Sequence, residues 1–299
     1  MDFYESARFQ YAAARLLVKL AQFRKTGTFQ QKITRSSNIG IELIDHTRGS
    51  FNINIEAPSQ SEDNKQFAKL SLSDMLAYVS ERVIEKVDET DISSSGGQIS
   101  DSLAARSVDQ TDIRAEAELR TGGAVIQLTD IPRRRLAETN REQRLISRSA
   151  AIAKIDPSRA LKLTSMAAPL LSEMATALRR SADSLEIYDS LDKKENTILF
   201  LDRKMAAEIE TAKVDRDITT ILGDIVQFNK DNGWGKLRIE NGARIVNFSI
   251  PSDLLPNLKH RFIRDMGTDK VYLQAYFVRD AGREIVRLIV VGVLQLPEN

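Results

Sequence analysis

The stretch from residue 215 to the end of the chain constrains the fold most strongly. Its apolar residues fall in short runs, 218–228, 234–240, 243–250, 270–279 and 284–296, separated by turn signals that include Asn232-Gly233 and Asn241-Gly242. Asn-Gly tolerates the positive φ that tight strand connections require. A helical pattern from about Ser252 to Asp265 interrupts the runs. Five short strands so punctuated predict a small closed or partly open β-barrel with an inserted helix.

Upstream the periodicity is mainly helical. Phe3, Ala7, Ala14, Leu17 and Ala21 recur at helical spacing over residues 3–25, with Phe9, Leu16, Leu20 and Phe23 widening the stripe. A hairpin is expected next: a strand Ile39–Ile44, a turn Asp45–Gly49, and a strand Ser50–Ile55 in which Phe51, Ile53 and Ile55 alternate with asparagines. Ser71 and Asp74 form a capping-box pattern that opens a helix reaching about Val87. Pro132 and Pro157 suit the first turns of two more helices, and Pro169 predicts a kink or break in the second.

The fold class expected is therefore α+β. Residues 1–90 form a helix–hairpin–helix domain, 91–112 a Ser/Gly-rich connector, 113–184 a helical basic segment, 185–214 a strand–helix connector, and 215–299 the barrel.

Charge is balanced overall, 43 Lys+Arg against 42 Asp+Glu in 299 residues, but the balance is not local. Residues 51–118 carry a net −8 and residues 119–180 a net +7. Such opposed segments suit either a polyanion surface beside an acidic stretch or two faces that pair within or between chains. The chain has no cysteine and two histidines, which excludes thiolate chemistry, disulfides and iron–sulfur clusters and leaves little for a zinc site. No apolar run approaches the roughly 18–20 residues of a membrane helix; Ile285–Leu296 is broken by Arg287 and Gln295. With no secretory pattern at the start, a cytoplasmic location without membrane contact is expected.

Two sets of residues carry candidate chemistry. On the helix after Pro132, Arg134, Arg141 and Arg148 are seven residues apart and Arg144 lies between the last two, so all four share a face. Guanidinium groups in a row suit nucleic-acid phosphates, and equally suit an acidic segment of the same protein. Separately, Asp189 precedes the strand Thr197–Leu201, which runs into Asp202-Arg203-Lys204. Two carboxylates and a lysine beside a strand are the residue types of a Mg²⁺-dependent nuclease of restriction-endonuclease type, the alternative reading and the only one that calls for a cofactor. His46 and His260 have no patterned partners, and no phosphate loop, dinucleotide fingerprint or nucleophile elbow is present.

The two ends of the chain resemble a poorly characterised bacterial family that joins an N-terminal α+β domain to a five-stranded barrel. The likeness lies in Asp2-Phe-Tyr-Glu-Ser-Ala-Arg8, Arg48-Gly-Ser-Phe51, Phe228-Asn229, Gly235-Lys236-Leu237 and Phe248-Ser-Ile-Pro251. The run Gly223-Asp-Ile-Val-Gln-Phe-Asn-Lys-Asp-Asn-Gly-Trp-Gly-Lys-Leu237 is also similar to the first strands of cold-shock domains, with Gln227 and Lys236 where that family has aromatics. This second resemblance implies base stacking at Phe228 and Trp234 beside Lys236. Together the readings point to a non-enzymatic binding or scaffold protein. They suggest an accessory subunit of a bacterial assembly, by analogy a defence-related one. A protein partner or self-association is expected, with RNA or DNA backbone contact as a second expectation.

Overall fold

The computed structural model describes residues 3–29, 32–33, 45–47, 50–54, 67, 69–86, 130–179, 182–189, 196–239, 244–268 and 270–294. The expected strand Ile39–Ile44 and the connector 91–112 lie outside them.

Helix α1 (Phe3–Thr26) buries Phe9, Leu16, Leu17, Leu20, Ala21 and Phe23, whereas Ala7 and Ala14, expected on the buried stripe, are exposed: the buried arc is centred on the larger side chains. It ends where Gly27 takes φ 67° and its N–H closes on the Phe23 carbonyl at 2.7 Å, a left-handed stop that a side chain would strain. Strands β1 (Asp45–Thr47) and β2 (Ser50–Asn54) are antiparallel, with Thr47 opposite Ser50. The first thus begins inside the expected turn, because Asp-His-Thr carries no apolar alternation to mark it. The hairpin is not a self-contained unit either. Strand β2 pairs in parallel with β3 (Ser184–Asp189), which pairs antiparallel with β4 (Asn196–Asp202).

Helices α2 (Leu72–Val83), α3 (Asp130–Ile152), α4 (Pro157–Ala175, continued as a 3₁₀ turn Thr176–Arg179) and α5 (Arg203–Thr211) share one apolar core with α1, β3 and β4. Residues expected as a 185–214 connector therefore belong to the N-terminal unit: Leu185, Ile187, Leu199, Leu201 and Ile209 are all in its core. Helix α4 runs unbroken through Pro169. Pro169 and Ser165 both lie on its exposed side, where water can take the carbonyl that the missing N–H leaves unpaired.

The second unit is a closed five-stranded barrel. Strands β6 (Thr219–Phe228), β7 (Trp234–Ile239) and β8 (Ile245–Ser249) form an antiparallel meander. Helix α6 (Leu255–Asp265) then leads to β9 (Val271–Arg279), which pairs with both β6 and β10 (Ile285–Leu294), and β10 closes the ring in parallel on β8. A short β5 (Lys213–Val214) adds to β9.

Ile225, Leu237, Phe248, Leu273, Leu288 and Val290 fill the interior. Phe262 of α6 plugs it, with its ring 5.2 Å from Phe228 and 5.7 Å from Phe248 between centroids. Gly235 is required by this packing: a Cβ there would lie 2.3 Å from the Phe248 ring and 2.5 Å from the Gln227 carbonyl. Among the described residues, no helix is long and apolar enough to cross a membrane.

Phe262→Ala removes the plug and is expected to cost about 3–5 kcal/mol, whereas Gly235→Ala overpacks a filled interior and is expected to cost about 1–3 kcal/mol. Urea unfolding midpoints measure both.

Candidate functional site

The two units meet at the end of α2. This helix starts with the expected capping box: the Asp74 N–H donates to Ser71 Oγ at 3.0 Å and the Ser71 N–H to Asp74 Oδ2 at 2.7 Å. Every residue from Leu72 to Val83 is buried, including Ser73, Asp74, Ser80, Glu81 and Arg82. A helix surrounded by protein has no solvent side for its polar residues, so each needs a partner inside. Those of Asp74, Glu81 and Arg82 come from the barrel and from α3, while Ser80 Oγ finds none.

Arg82 Nη2 donates to both carboxylate oxygens of Asp253, at 3.0 and 2.9 Å, while Nη1 donates to the Tyr78 carbonyl at 3.2 Å. The guanidinium also lies 3.6 Å from the centre of the Tyr78 ring. One turn on, Lys86 is 4% exposed. Its ammonium donates to the Asn232 carbonyl at 2.5 Å and to Ser252 Oγ at 3.0 Å, with Glu81 at 3.1 Å and Glu142 at 3.6 Å. Glu81 accepts from both the backbone N–H and the hydroxyl of Ser252. Two further contacts complete the seam. Arg287 Nη2 donates to the Val83 carbonyl at 3.0 Å, and Asn247 Nδ2 donates to Glu85 at 3.2 Å.

Burial and pairing compete at each of these groups. Burial alone would raise the Glu81 carboxyl, but Lys86, the Ser252 hydroxyl, Arg141 and Arg82 together hold it below the usual carboxylate range. Burial pushes Tyr78 up to about 12. It also pushes Glu142 up, since the attraction of Lys86 does not offset the lost hydration, and it pushes Arg287 down.

The alternation of the strands identifies the barrel surface involved. Gly235, Leu237, Val246 and Phe248 point inward, so Trp234, Lys236, Asn247 and Ser249 point outward. Yet Trp234 is 3% exposed and Ser249 is buried. Trp234 stands between Asn232 and Asn247, the two points where Lys86 and Glu85 are anchored, and the Lys236 ammonium lies 5.2 Å from the centre of its ring. Arg287, Ile289 and Val278, on the outer faces of β10 and β9, are buried as well. A narrow gap beside them is lined by Arg82, Leu161, Thr164, Val214, Tyr276 and Ile289. The outer face of β7, β8 and β10 is therefore covered by the chain's own N-terminal unit around Trp234, Ser249, Arg287 and Ile289, while Arg238 and Ile245 at the far end of β7 and β8 stay exposed.

The arginine row of α3 runs from this interior out to solvent, with Arg141 buried and Arg148 exposed. Arg144 and Arg148 reach Asp74 at 3.2 and 3.6 Å, so the N-terminal carboxylate of α2 is both cap and counter-ion. Arg134 bonds the Glu85 carbonyl at 3.1 Å and Glu138 at 3.3 Å. Arg141 is 2% exposed, within the field of Glu81, and its Nε has no hydrogen-bond partner.

Phe228 is half-buried and faces inward. A bulge between Ile225 and Gln227 shifts the alternation by one, placing Gln227 outside and Phe228 against Phe262. The backbone positions of Asp189 and Asp202 are not brought together. Asp189 pairs with Asn196 and Asp202 with Ser184, at opposite ends of one ladder, about 17 Å apart at about 3.4 Å per residue. Asp202 caps α5 by accepting from the Met205 N–H at 2.8 Å, and Lys204 is exposed.

Lys86, Ser252 and Glu81 have the residue types of a Ser–Lys nucleophile pair, but Ser252 is buried and its hydroxyl is held by Glu81. What the arrangement does chemically is cross-link two units. Sequence reading missed Glu81, Arg82, Lys86, Ser252, Asp253 and Arg287. One signal was available: Arg287 interrupts an otherwise buried apolar run.

Asp253→Asn leaves Arg82 buried without its counter-charge and is expected to cost about 3–5 kcal/mol in urea unfolding. The double change Arg82→Met with Asp253→Leu should recover much of that loss. The carboxylates give opposite pH signatures. Glu81 has a lowered folded pKa, so its contribution is present above the unfolded carboxylate pKa and is lost as pH falls through the folded one. Glu142 has a raised one, so stability declines as pH rises through it. Glu142→Gln should therefore stabilise the protein at pH 8, and the gain should shrink towards acid pH.

The chain matches no protein-family model, and comparison with curated proteins and with solved structures gives no match.

Proposed function

We propose that the protein is a non-enzymatic binding or scaffold protein, an accessory subunit acting in the cytoplasm through contacts with other protein. The observation that carries this reading is the covered barrel face. The barrel places a helix between its third and fourth strands and closes its fifth strand on the third in parallel. Oligonucleotide-binding barrels share this arrangement, and use the outer face of their second and third strands and the adjoining loop for nucleic acid. Here the equivalent strands are β7 and β8 and the loop contains Asn232; Lys86 and Glu85, just past the end of α2, bond the Asn232 carbonyl and Asn247 of β8. A fold-level likeness does not fix function, and the use of this face as a docking platform for the same chain supports protein contact over base stacking.

The other residue sets support the same reading. Arg134, Arg144 and Arg148 spend part or all of their charge on Asp74, Glu138 and the Glu85 carbonyl. Asp189 and Asp202 are too far apart to share one Mg²⁺, since oxygen ligands sit about 2.1 Å from that ion.

The test is incubation with labelled RNA and DNA, with and without Mg²⁺, across a salt series. The proposal predicts no Mg²⁺-dependent cutting and no change in nucleic-acid retention when Arg144 and Arg148 are replaced by Gln. Cutting abolished by Asp202→Asn, which preserves the helix cap, would replace it with the nuclease reading. Salt-sensitive retention lost in the arginine variants would replace it with backbone binding.

A further inference from the structure

Helix α1 buries one face completely and leaves the other unusually rich in aromatic surface. Tyr4 is 68% exposed and Tyr11 62%. Ala7 and Ala14, exposed too, lie between and beyond them, so the outward residues run Tyr4, Ala7, Tyr11, Ala14 at intervals of three and four. This is the a/d spacing of a helix-pairing seam, with the large residues at a and the small ones at d. The seam ends at Val18, which is buried in the fold.

We infer that this face of α1 is a self-association surface, on which two copies of the chain pair antiparallel about a two-fold axis level with residue 9. Antiparallel helices set a positions against d positions. With the axis at residue 9, Tyr4 of one copy lies opposite Ala14 of the second, and Tyr11 opposite Ala7, so every layer joins a large side chain to a small one. A two-fold interface must be complementary to itself, and this alternation satisfies that requirement in one register.

The flanking charges agree with the pairing. Glu173 of α4 lies between the two arginines that border the seam, 4.0 Å from Arg8 and 3.7 Å from Arg15. Each copy thus brings a carboxylate held between two guanidinium groups to the rim, so the two-fold offers both signs of charge to each copy there. Arg8 and Arg15 also lie against the Tyr4 and Tyr11 rings, 6.0 and 5.3 Å from their centres, which limits the side-chain freedom left to lose on pairing. Four tyrosines with the alanines and arginine stems bury on the order of 1,000 Å², the lower bound for a specific interface. The surface lies apart from the joint between α2 and the barrel, so this inference holds or fails separately from the scaffold reading.

Sedimentation of the full chain over a concentration series tests it. A concentration-dependent dimer is expected. Tyr4→Ala and Tyr11→Ala should each weaken it by at least about thirtyfold, with the urea midpoint of the dilute, monomeric chain unchanged because both rings are exposed. Register is tested by oxidation of single-cysteine variants, which is clean because the chain has no cysteine of its own. A Tyr4→Cys chain mixed with an Ala14→Cys chain should form the mixed disulfide in preference to either homodimer, whose like positions are about 15 Å apart along the axis.

A chain that stays monomeric well above micromolar concentration would overturn the inference. So would a dimer insensitive to both tyrosine changes. Homodimeric disulfides in place of the mixed one would do the same. Loss of RNA retention in the tyrosine variants of a monomeric protein would assign the face to single-stranded nucleic acid instead.

Discussion

The structure depends on burying ionised groups where two units meet. Arg82, Glu81 and Lys86 leave α2 within two turns and find Asp253, Ser252 and the carbonyl of Asn232 on the barrel. Taking such groups out of water is expensive, and their attraction offsets that expense only with good geometry and complete hydrogen bonding. The joint meets that condition at most positions; the exceptions among the described residues include Ser80 Oγ, Arg141 Nε and Arg287 Nη1, which have no hydrogen-bond partner. A partnership so demanding is poorly replaced by other contacts, and this specificity sets the relative placement of helices and barrel.

One consequence reaches every candidate site. Because α2 has no solvent side, Asp74 at its start draws in Arg144 and Arg148, and Glu85 beyond its end draws in Arg134. The basic helix α3 is thereby turned towards the acidic segment that precedes it in sequence. The net +7 of residues 119–180 beside the net −8 of residues 51–118 is in part the record of that pairing. Trp234 and its outward neighbours are covered by the same docking. The surfaces that remain outward are of other kinds, among them the tyrosine face of α1.

Local patterns were legible where local physics decides. The barrel strands, the α6 insertion, the Ser71–Asp74 cap and the large buried residues of α1 follow from alternation, helical spacing and turn chemistry, although Ala7 and Ala14 of the expected α1 stripe are exposed. The strand β1 was not, since Asp-His-Thr has no period, nor was the parallel pairing of β2 with β3, which joins residues far apart in sequence. The bulge that turns Phe228 inward shifts the face of every residue after it, and nothing at Val226 or Gln227 announces it. The joint was hidden for a related reason. Glu81, Arg82 and Lys86 read as the solvent face of an amphipathic helix, and only the opposing Ser252 and Asp253, some 170 positions away, show that they are interior.

The covered face can be measured directly, because Trp234 is the only tryptophan in the chain. Acrylamide quenching of its fluorescence reads access to the outer side of β7. The account predicts blue-shifted emission and slow quenching in the native protein, and fast quenching in an Arg82→Ala variant that remains folded by circular dichroism. A native protein quenched as fast as the unfolded chain would contradict the claim that the N-terminal unit closes this face of the barrel.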